Sequence, residues 1–171
     1  MEKTAENPAG YERHVVLVAP QIHWNTGNAG RTCLAAGARL HLVRPLGFSL
    51  DESAVRRAGL DYWDKVPLSV WDAFGDFLDW ARPEPGEVAV FSKNAPLLFW
   101  SMPRKRRMFL VFGSETQGLP PQITNAYPGS CFHIPVSGVR SINLSTTVGI
   151  ALYESLRGLL VPHAPDRDSR R

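Results

Sequence analysis

Little in this chain points to disulfide, metal or membrane chemistry. Two cysteines occur in 171 residues, Cys33 and Cys131, without C-x-x-C spacing and each within an apolar stretch. They read as two buried free thiols, not as a disulfide framework or a metal site. The five histidines (His14, His23, His41, His133 and His163) form no HxxxH or HExxH pair, so no metal is expected. No apolar run approaches the ~18 residues that a membrane helix needs. The segment MEKTAENPAGYER has no apolar stretch of the secretory kind. GxGxxG and GxxxxGK[ST] are both absent, which disfavours the usual nucleotide-phosphate cradles. These absences leave a cytoplasmic protein with no membrane segment as the expectation.

What is present fits one folded domain. Hydrophobic residues make up 44% of the chain and charged residues 20%, well outside the range of disordered sequences. A chain of this length buries roughly 70% of its unfolded surface, enough for one core without staples. Residues 1–12 read as a polar tail, 13–161 as the domain and 162–171 as a basic tail. The formal net charge of +3 is modest. Its distribution says more: Arg104-Lys105-Arg106-Arg107, Arg56-Arg57, and Arg167 with Arg170 and Arg171 form three clusters suited to phosphates.

Short β-rich runs alternate with helical patterns. His14–Ala19, Arg39–Val43, Glu87–Phe91, Met108–Phe112 and Cys131–Val136 each read as a buried strand. Asn28–Ala36, Glu52–Ala58, Ser69–Ala81, Gln122–Ala126 and Asn143–Leu160 read as helices. In the last, Leu144, Val148, Ala151, Leu152, Ser155 and Leu159 give one apolar or small face. Such alternation predicts an α/β domain, a mostly parallel sheet with helices on both faces. Ligands of such sheets sit at the carboxyl ends of the strands.

Three loops leaving those ends are chemically unusual. Pro20–Arg31 carries Asn25, Thr26, Gly27, Asn28 and then Arg31. Asn28 reads as a helix cap, which would put Arg31 in the first turn, where a cation opposes the helix dipole unless it serves an anion or a fold contact. In Gly113–Leu119, glycines bracket Ser-Glu-Thr-Gln directly after a strand. Gly113 permits close backbone approach and Gly118 a positive φ. In Ser137–Ser145, either Ser141 or Asn143 caps the long helix, or exposed backbone groups read the edge of an adenine ring. Local sequence leaves both readings open.

Taken together, the motifs carry a resemblance. They are Asn25-Thr26-Gly27-Asn28-Ala29-Gly30-Arg31; Leu40 to Phe48 (LHLVRPLGF) with Arg56 to Trp63 (RRAGLDYW); Phe112 to Pro120 (FGSETQGLP); and Arg140 to Ser145 (RSINLS), ending in Leu152-Tyr153-Glu154. In this order they resemble the SPOUT-class RNA 2′-O-ribose methyltransferases, most closely the small TrmL-type enzymes of the tRNA wobble position, over about residues 14 to 160. The resemblance implies a deep trefoil knot in the C-terminal half, a homodimer with a composite active site, and S-adenosylmethionine in the knot loops. It implies cofactor contacts at Val90, Gly113, Ile134 and Ser141, and methyl transfer to the ribose 2′-hydroxyl of a wobble cytidine or modified uridine in the tRNA anticodon arm. Arg31, Tyr153 and Asn28 take the catalytic positions, as phosphate clamp or base in the case of Arg31. Glu115, Asn143, Ser145, Arg56 and Arg57 take supporting or substrate-binding ones. Glu115 has a second reading, as an acceptor that holds its loop. Three features depart from relatives: Phe91-Ser92-Lys93-Asn94 replaces a more polar loop, the loop before Arg140 is one residue shorter than in some of them, and His23-Trp24 stands where prolines are frequent. A related enzyme acting on another tRNA position or on rRNA is the alternative, with a non-catalytic RNA-binding module behind it.

Overall fold

The computed structural model describes residues 10–50 and 62–159. In chain order these form β1 (Glu12–Val18), α1 (His23–Ala35), β2 (Arg39–Val43), β3 (Leu68–Trp71), α2 (Phe74–Ala81), β4 (Val88–Phe91), β5 (Leu97–Leu98), β6 (Arg107–Phe112), α3 (Pro121–Ala126), β7 (Cys131–His133) and α4 (Leu144–Leu156), with three short 3-10 turns between them. Both tails and the expected helix Glu52–Ala58 lie outside the described residues.

The strands make one seven-stranded sheet, β3-β2-β1-β6-β4-β7-β5, and every pairing is parallel. Val15 stands between Leu40 of β2 and Leu110 of β6. Side-chain alternation along β1 divides the core in two. Val15 and Leu17 pack with Ala29 and Cys33 of α1 and with Val148, Ala151 and Leu152 of α4. Val16 and Val18 pack with Phe77 and Ala81 of α2 and with Ile123 of α3. Helices therefore cover both faces. Both cysteines are buried and free. Burial pushes the Cys33 thiol up to about 12, while Cys131 donates to the carbonyls of Thr124 and Tyr127.

The elements differ from expectation in instructive places. The expected helix Ser69–Ala81 is two elements, because Leu68-Ser-Val-Trp71 pairs with β2 as an edge strand and the helix starts only at Phe74. There the Asp76 carboxylate accepts from the Ala73 N–H at 2.9 Å, satisfying one of the helix's free donors. α1 starts at His23, so Asn28 lies more than a turn inside it and is not its cap; the capping position is Ile22. The strand expected to reach Val136 stops at His133, just before Pro135.

From β7, second from the sheet edge, the chain returns across the fold to α4, which packs against α1, β1 and β6. A buried arginine ties down the far end of that helix. Arg13 of β1 is 2% exposed; it donates to the Ser155 hydroxyl at 3.0 Å and the Ser155 carbonyl at 2.9 Å. The carbonyl is one of those that a helix C-terminus leaves unpaired. No helix among the described residues is long and apolar enough to cross a membrane.

Candidate active site

All strands run the same way, so the loops after β1, β6 and β7 emerge at one edge of the sheet. A chain of polar contacts joins them there. The Glu115 carboxylate, from the loop after β6, accepts from the backbone N–H groups of Gln21 (2.8 Å) and Ile22 (3.2 Å) and from Asn25 Nδ2 (2.9 Å). Asn25 Oδ1 in turn accepts from Asn143 Nδ2 at 2.7 Å. Asn143 Oδ1 caps α4, accepting from the N–H of Ser145 and Thr146 and from the Ser145 hydroxyl. Backbone donors fix the orientation of both amides: Asn143 must turn its oxygen to α4, so its nitrogen meets Asn25 and leaves the Asn25 nitrogen for Glu115. Asn143 is therefore the cap, and Glu115 holds its loop as an acceptor.

The loop after β6 is folded tightly on itself. Ser114 and Gly118 exchange backbone hydrogen bonds at 3.2 and 3.0 Å, and Gly118 has φ +70°. A Cβ on Gly113 would overlap the Gly118 carbonyl carbon and the Leu119 nitrogen. The glycine is demanded by the return of its own loop.

The other expected site residues fall into two groups. Ile134 follows β7 directly and is half-buried, and Ser141 is exposed beside Arg140. At the end of β7, the buried Nδ1 of His133 has no hydrogen-bond partner among the described residues. Val90 is fully buried within β4, paired with Val111 and Cys131, its side chain in the core beneath α2 and α3; only the residues after it open to the edge. Ile134 and the exposed residues 137–141 offer one apolar side chain and loop backbone groups at this edge, which suits a ligand with an apolar face and polar edges.

Asn28, Arg31 and Tyr153 lie elsewhere, exposed on the two neighbouring helices. Arg31 is more than two turns into α1, so the dipole argument made for it does not apply. Its guanidinium lies 5.3 Å from the centre of the Tyr62 ring, and the Tyr62 hydroxyl donates to the Gly27 carbonyl at 3.1 Å. Trp24, Asn28 and Arg31 follow one another along an exposed stripe of α1 at three-to-four spacing. Tyr153 rims a shallow hollow with Phe99, Ile150 and Arg157.

Arg56 and Arg57 lie outside the described residues. Arg104 to Arg107 stand at the amino end of β6, opposite the motif loops. Arg104 pairs with Glu154 at 2.9 Å and Arg107 with Glu87 at 2.7 Å, and Arg106 donates to the Gly10 carbonyl. Three of the four cationic side chains are thus engaged in the fold, and Lys105 is exposed. No group of three or more metal-ligating side chains occurs among the described residues. Asn25 is the residue that sequence reasoning missed. Its signal was a polar side chain on the stripe that α1 buries with Ala29 and Cys33, where an amide requires partners.

Residues 12–153 match the model of the SpoU rRNA Methylase family. A Burkholderia ambifaria protein named tRNA (cytidine(34)-2'-O)-methyltransferase is 41% identical over 149 residues, 84% of this chain and 94% of that one. A solved structure described as giving insight into 2-OH methylation of C/U34 on tRNA superposes with a TM-score of 0.77 at 42% identity, covering 87% of this chain and 91% of its own. An AdoMet-bound rRNA methyltransferase from Sinorhizobium meliloti gives 0.75 at 27% identity, covering 88% of this chain and 57% of its own.

Proposed function

The chain belongs to the SpoU rRNA methylase family, and on that premise we propose that it methylates the ribose 2′-hydroxyl of the wobble nucleotide of tRNA, with S-adenosylmethionine as donor. The observation that carries the reading is the Glu115–Asn25–Asn143 chain, which locks three motif loops into one edge. Identity of about 40% to wobble-position enzymes over most of both chains supports the substrate. A tRNA substrate supports the cytoplasm as the place of work. Family membership supports a trefoil knot in the C-terminal half, and the return of the chain from β7 to α4 is in keeping with it.

Bound S-adenosylmethionine supplies a methyl group already activated on a sulfonium centre. Gly113, Ile134 and Ser141 would hold it, through loop backbone and one apolar side chain, with the backbone that follows Val90 completing the edge. The chain must then position the 2′-hydroxyl, keep water out and let its proton leave. Arg31 is the residue for positioning, since guanidinium clamps a phosphate at two points and is a poor base. Its place on the exposed face of α1, like that of Asn28 beside it and Tyr153 on α4, supports a homodimer in which each site takes these side chains from across the interface.

The test is methylation of unmodified tRNA by the purified protein, with the modified ribose mapped. A 2′-O-methyl group at the wobble nucleotide is expected. Modification only at another tRNA position or in rRNA would move the substrate, and none anywhere would leave an RNA-binding module. For the composite site, inactive Arg31→Ala and Gly113→Val chains are mixed. Recovered activity is expected, and its absence would return both functions to one subunit.

A further inference from the structure

Beside the motif junction lies a group of rings that the functional reading does not use. His23 and Trp24 open α1, and Phe48 comes from the loop after β2. The His23 ring centre is 4.6 Å from that of Trp24 and 6.4 Å from that of Phe48. Trp24 is 52% exposed and Ile22 42%. Large apolar side chains left in water at one place mark a surface made for contact.

This shelf is fixed relative to the active edge. The Gly47 N–H donates to the Pro20 carbonyl at 2.9 Å. Gly47 passes so close to Gln21 that a Cβ would stand 2.6 Å from the Gln21 carbonyl oxygen. The N–H groups of Gln21 and Ile22 are the ones that Glu115 holds. One rigid run of contacts thus leads from Phe48 through Gln21 to Glu115, Asn25 and Asn143.

Resting on the functional reading above, we propose that Trp24, backed by His23 and Phe48, stacks on the base of the nucleotide whose ribose is methylated. In a single-stranded loop the nucleotide that presents its 2′-hydroxyl can be splayed out of the stack of its neighbours and its base laid on an aromatic side chain. The base that is turned out then needs a flat apolar face and not a hydrogen-bond code, because either pyrimidine must be accepted. An indole supplies that, since every base presents a π-face. Trp24 is a substrate-positioning residue in this scheme and takes no part in proton transfer.

The test uses the full chain and an anticodon-arm RNA hairpin, intact or with an abasic site at the methylated nucleotide. Wild type, Trp24→Ala and Trp24→Phe are compared for hairpin affinity, S-adenosylmethionine affinity, sedimentation and single-turnover methylation. In wild type, removing the base is expected to weaken binding roughly tenfold or more. Trp24→Ala should bind the intact hairpin as weakly as wild type binds the abasic one, and should not distinguish the two. Trp24→Phe should recover most of the loss, with S-adenosylmethionine affinity and the dimer unchanged throughout. Wild type that methylates the hairpin, with Trp24→Ala binding it equally tightly or paying the full abasic penalty, overturns the shelf alone. Dissociation of the Trp24→Ala dimer overturns it by placing the indole at the subunit contact. Wild type that neither binds nor methylates the hairpin overturns the functional reading and the shelf with it.

Discussion

Asn143 donates its side-chain amide to Asn25 across 2.7 Å, joining positions 118 apart in sequence. Asn25 passes the contact on to Glu115, so one buried amide serves two loops at once. Asn25→Ala is expected to cost about 1–3 kcal/mol, because it strips a partner from a carboxylate and from an amide together. Asn25→Asp should be worse, since it sets a second carboxylate against Glu115. Both variants should also weaken S-adenosylmethionine binding. Asn28→Ala, on the exposed face of the same helix, should leave stability within about 0.5 kcal/mol and lower turnover instead. Denaturant unfolding and calorimetric titration of the four proteins test this. An Asn25→Ala protein of wild-type stability would show that the junction is ornamental.

Gly113 makes a second prediction, in which loop and core separate. Even an alanine methyl would overlap the Gly118–Leu119 backbone, so the loop must open while the sheet behind it stays packed. Gly113→Ala should keep its far-ultraviolet circular dichroism and lose at least about tenfold in S-adenosylmethionine affinity. Gly118→Ala, at φ +70° with no atom of the described residues within 4 Å of its Cβ, should cost only about 1 kcal/mol of strain. Equal affinities for Gly113→Ala and wild type would take this loop out of the cofactor site.

The sheet was legible wherever strands are buried on both sides, because Val15 to Val18 and Met108 to Phe112 must then be apolar throughout. β3 and β5 were not. Leu68 to Trp71 is an edge strand whose Ser69 and Val70 mimic a helical start, and β5 is two residues whose pairing depends on β7 arriving beside it. The three loops were legible as chemistry, but how they are joined was not, since that required knowing that Asn25 faces inward. The surroundings of the Arg104 to Arg107 cluster were hidden for a related reason. Sequence gives the cluster its charge but not its end of the sheet, nor the carboxylates of Glu87 and Glu154 that engage it.

That placement bears on the salt dependence of RNA binding. Neutralising Arg104 to Arg107 should lower stability, by breaking the pairs with Glu154 and Glu87, and leave the salt dependence of tRNA binding as in wild type. Lys93 and Arg140 are exposed at the carboxyl edge. Neutralising them should flatten the logarithmic salt slope by ~0.7–0.9 per lost phosphate contact. Filter binding over a range of salt concentrations measures both. A flatter slope for the Arg104–Arg107 variant would bring RNA around to the amino end of the sheet.

Acid stability should depend on a buried histidine pair. Trp71 Nε1 donates to His41 Nδ1 at 3.1 Å, so His41 carries its proton on Nε2, 2.9 Å from His14 Nδ1. Both rings are therefore neutral. Burial, chiefly, lowers His14 to about 4, with Arg39, Arg107 and Arg13 adding to the effect. Burial and His14 lower His41 to about 3. The unfolded chain protonates these groups near 6.5, so between that pH and 4 it binds more protons than the native state. Their stabilisation is complete above pH 6.5 and is lost as the pH falls toward 4 and then 3. Denaturant unfolding at pH 7 and pH 4 should differ by on the order of 3 kcal/mol from His14 alone. His14→Gln, whose amide oxygen can accept from His41, should reduce the difference, and an unchanged difference would place the acid sensitivity elsewhere.

Arg31 makes the last prediction, and the two roles open to it give different pH profiles. It lies against Tyr62 on an exposed helix face, well placed to reach outward from its own chain. As a clamp or as a base, its contribution belongs to the transition state, so Arg31→Ala should lower kcat with S-adenosylmethionine affinity nearly intact. Arg31→Lys separates the roles. Lysine keeps the charge and gives up a proton more readily, but it cannot make the planar two-point contact with phosphate. If Arg31 clamps, the lysine variant should be nearly as slow as the alanine variant at every pH. If Arg31 is the base, lysine should rescue the rate increasingly as the pH rises toward about 10, the range in which an ammonium deprotonates. Guanidinium does not deprotonate in proteins, so the clamp is the expected outcome. Single-turnover methylation of tRNA by the three proteins across that pH range decides the matter, and a wild-type rate in Arg31→Ala would end both versions.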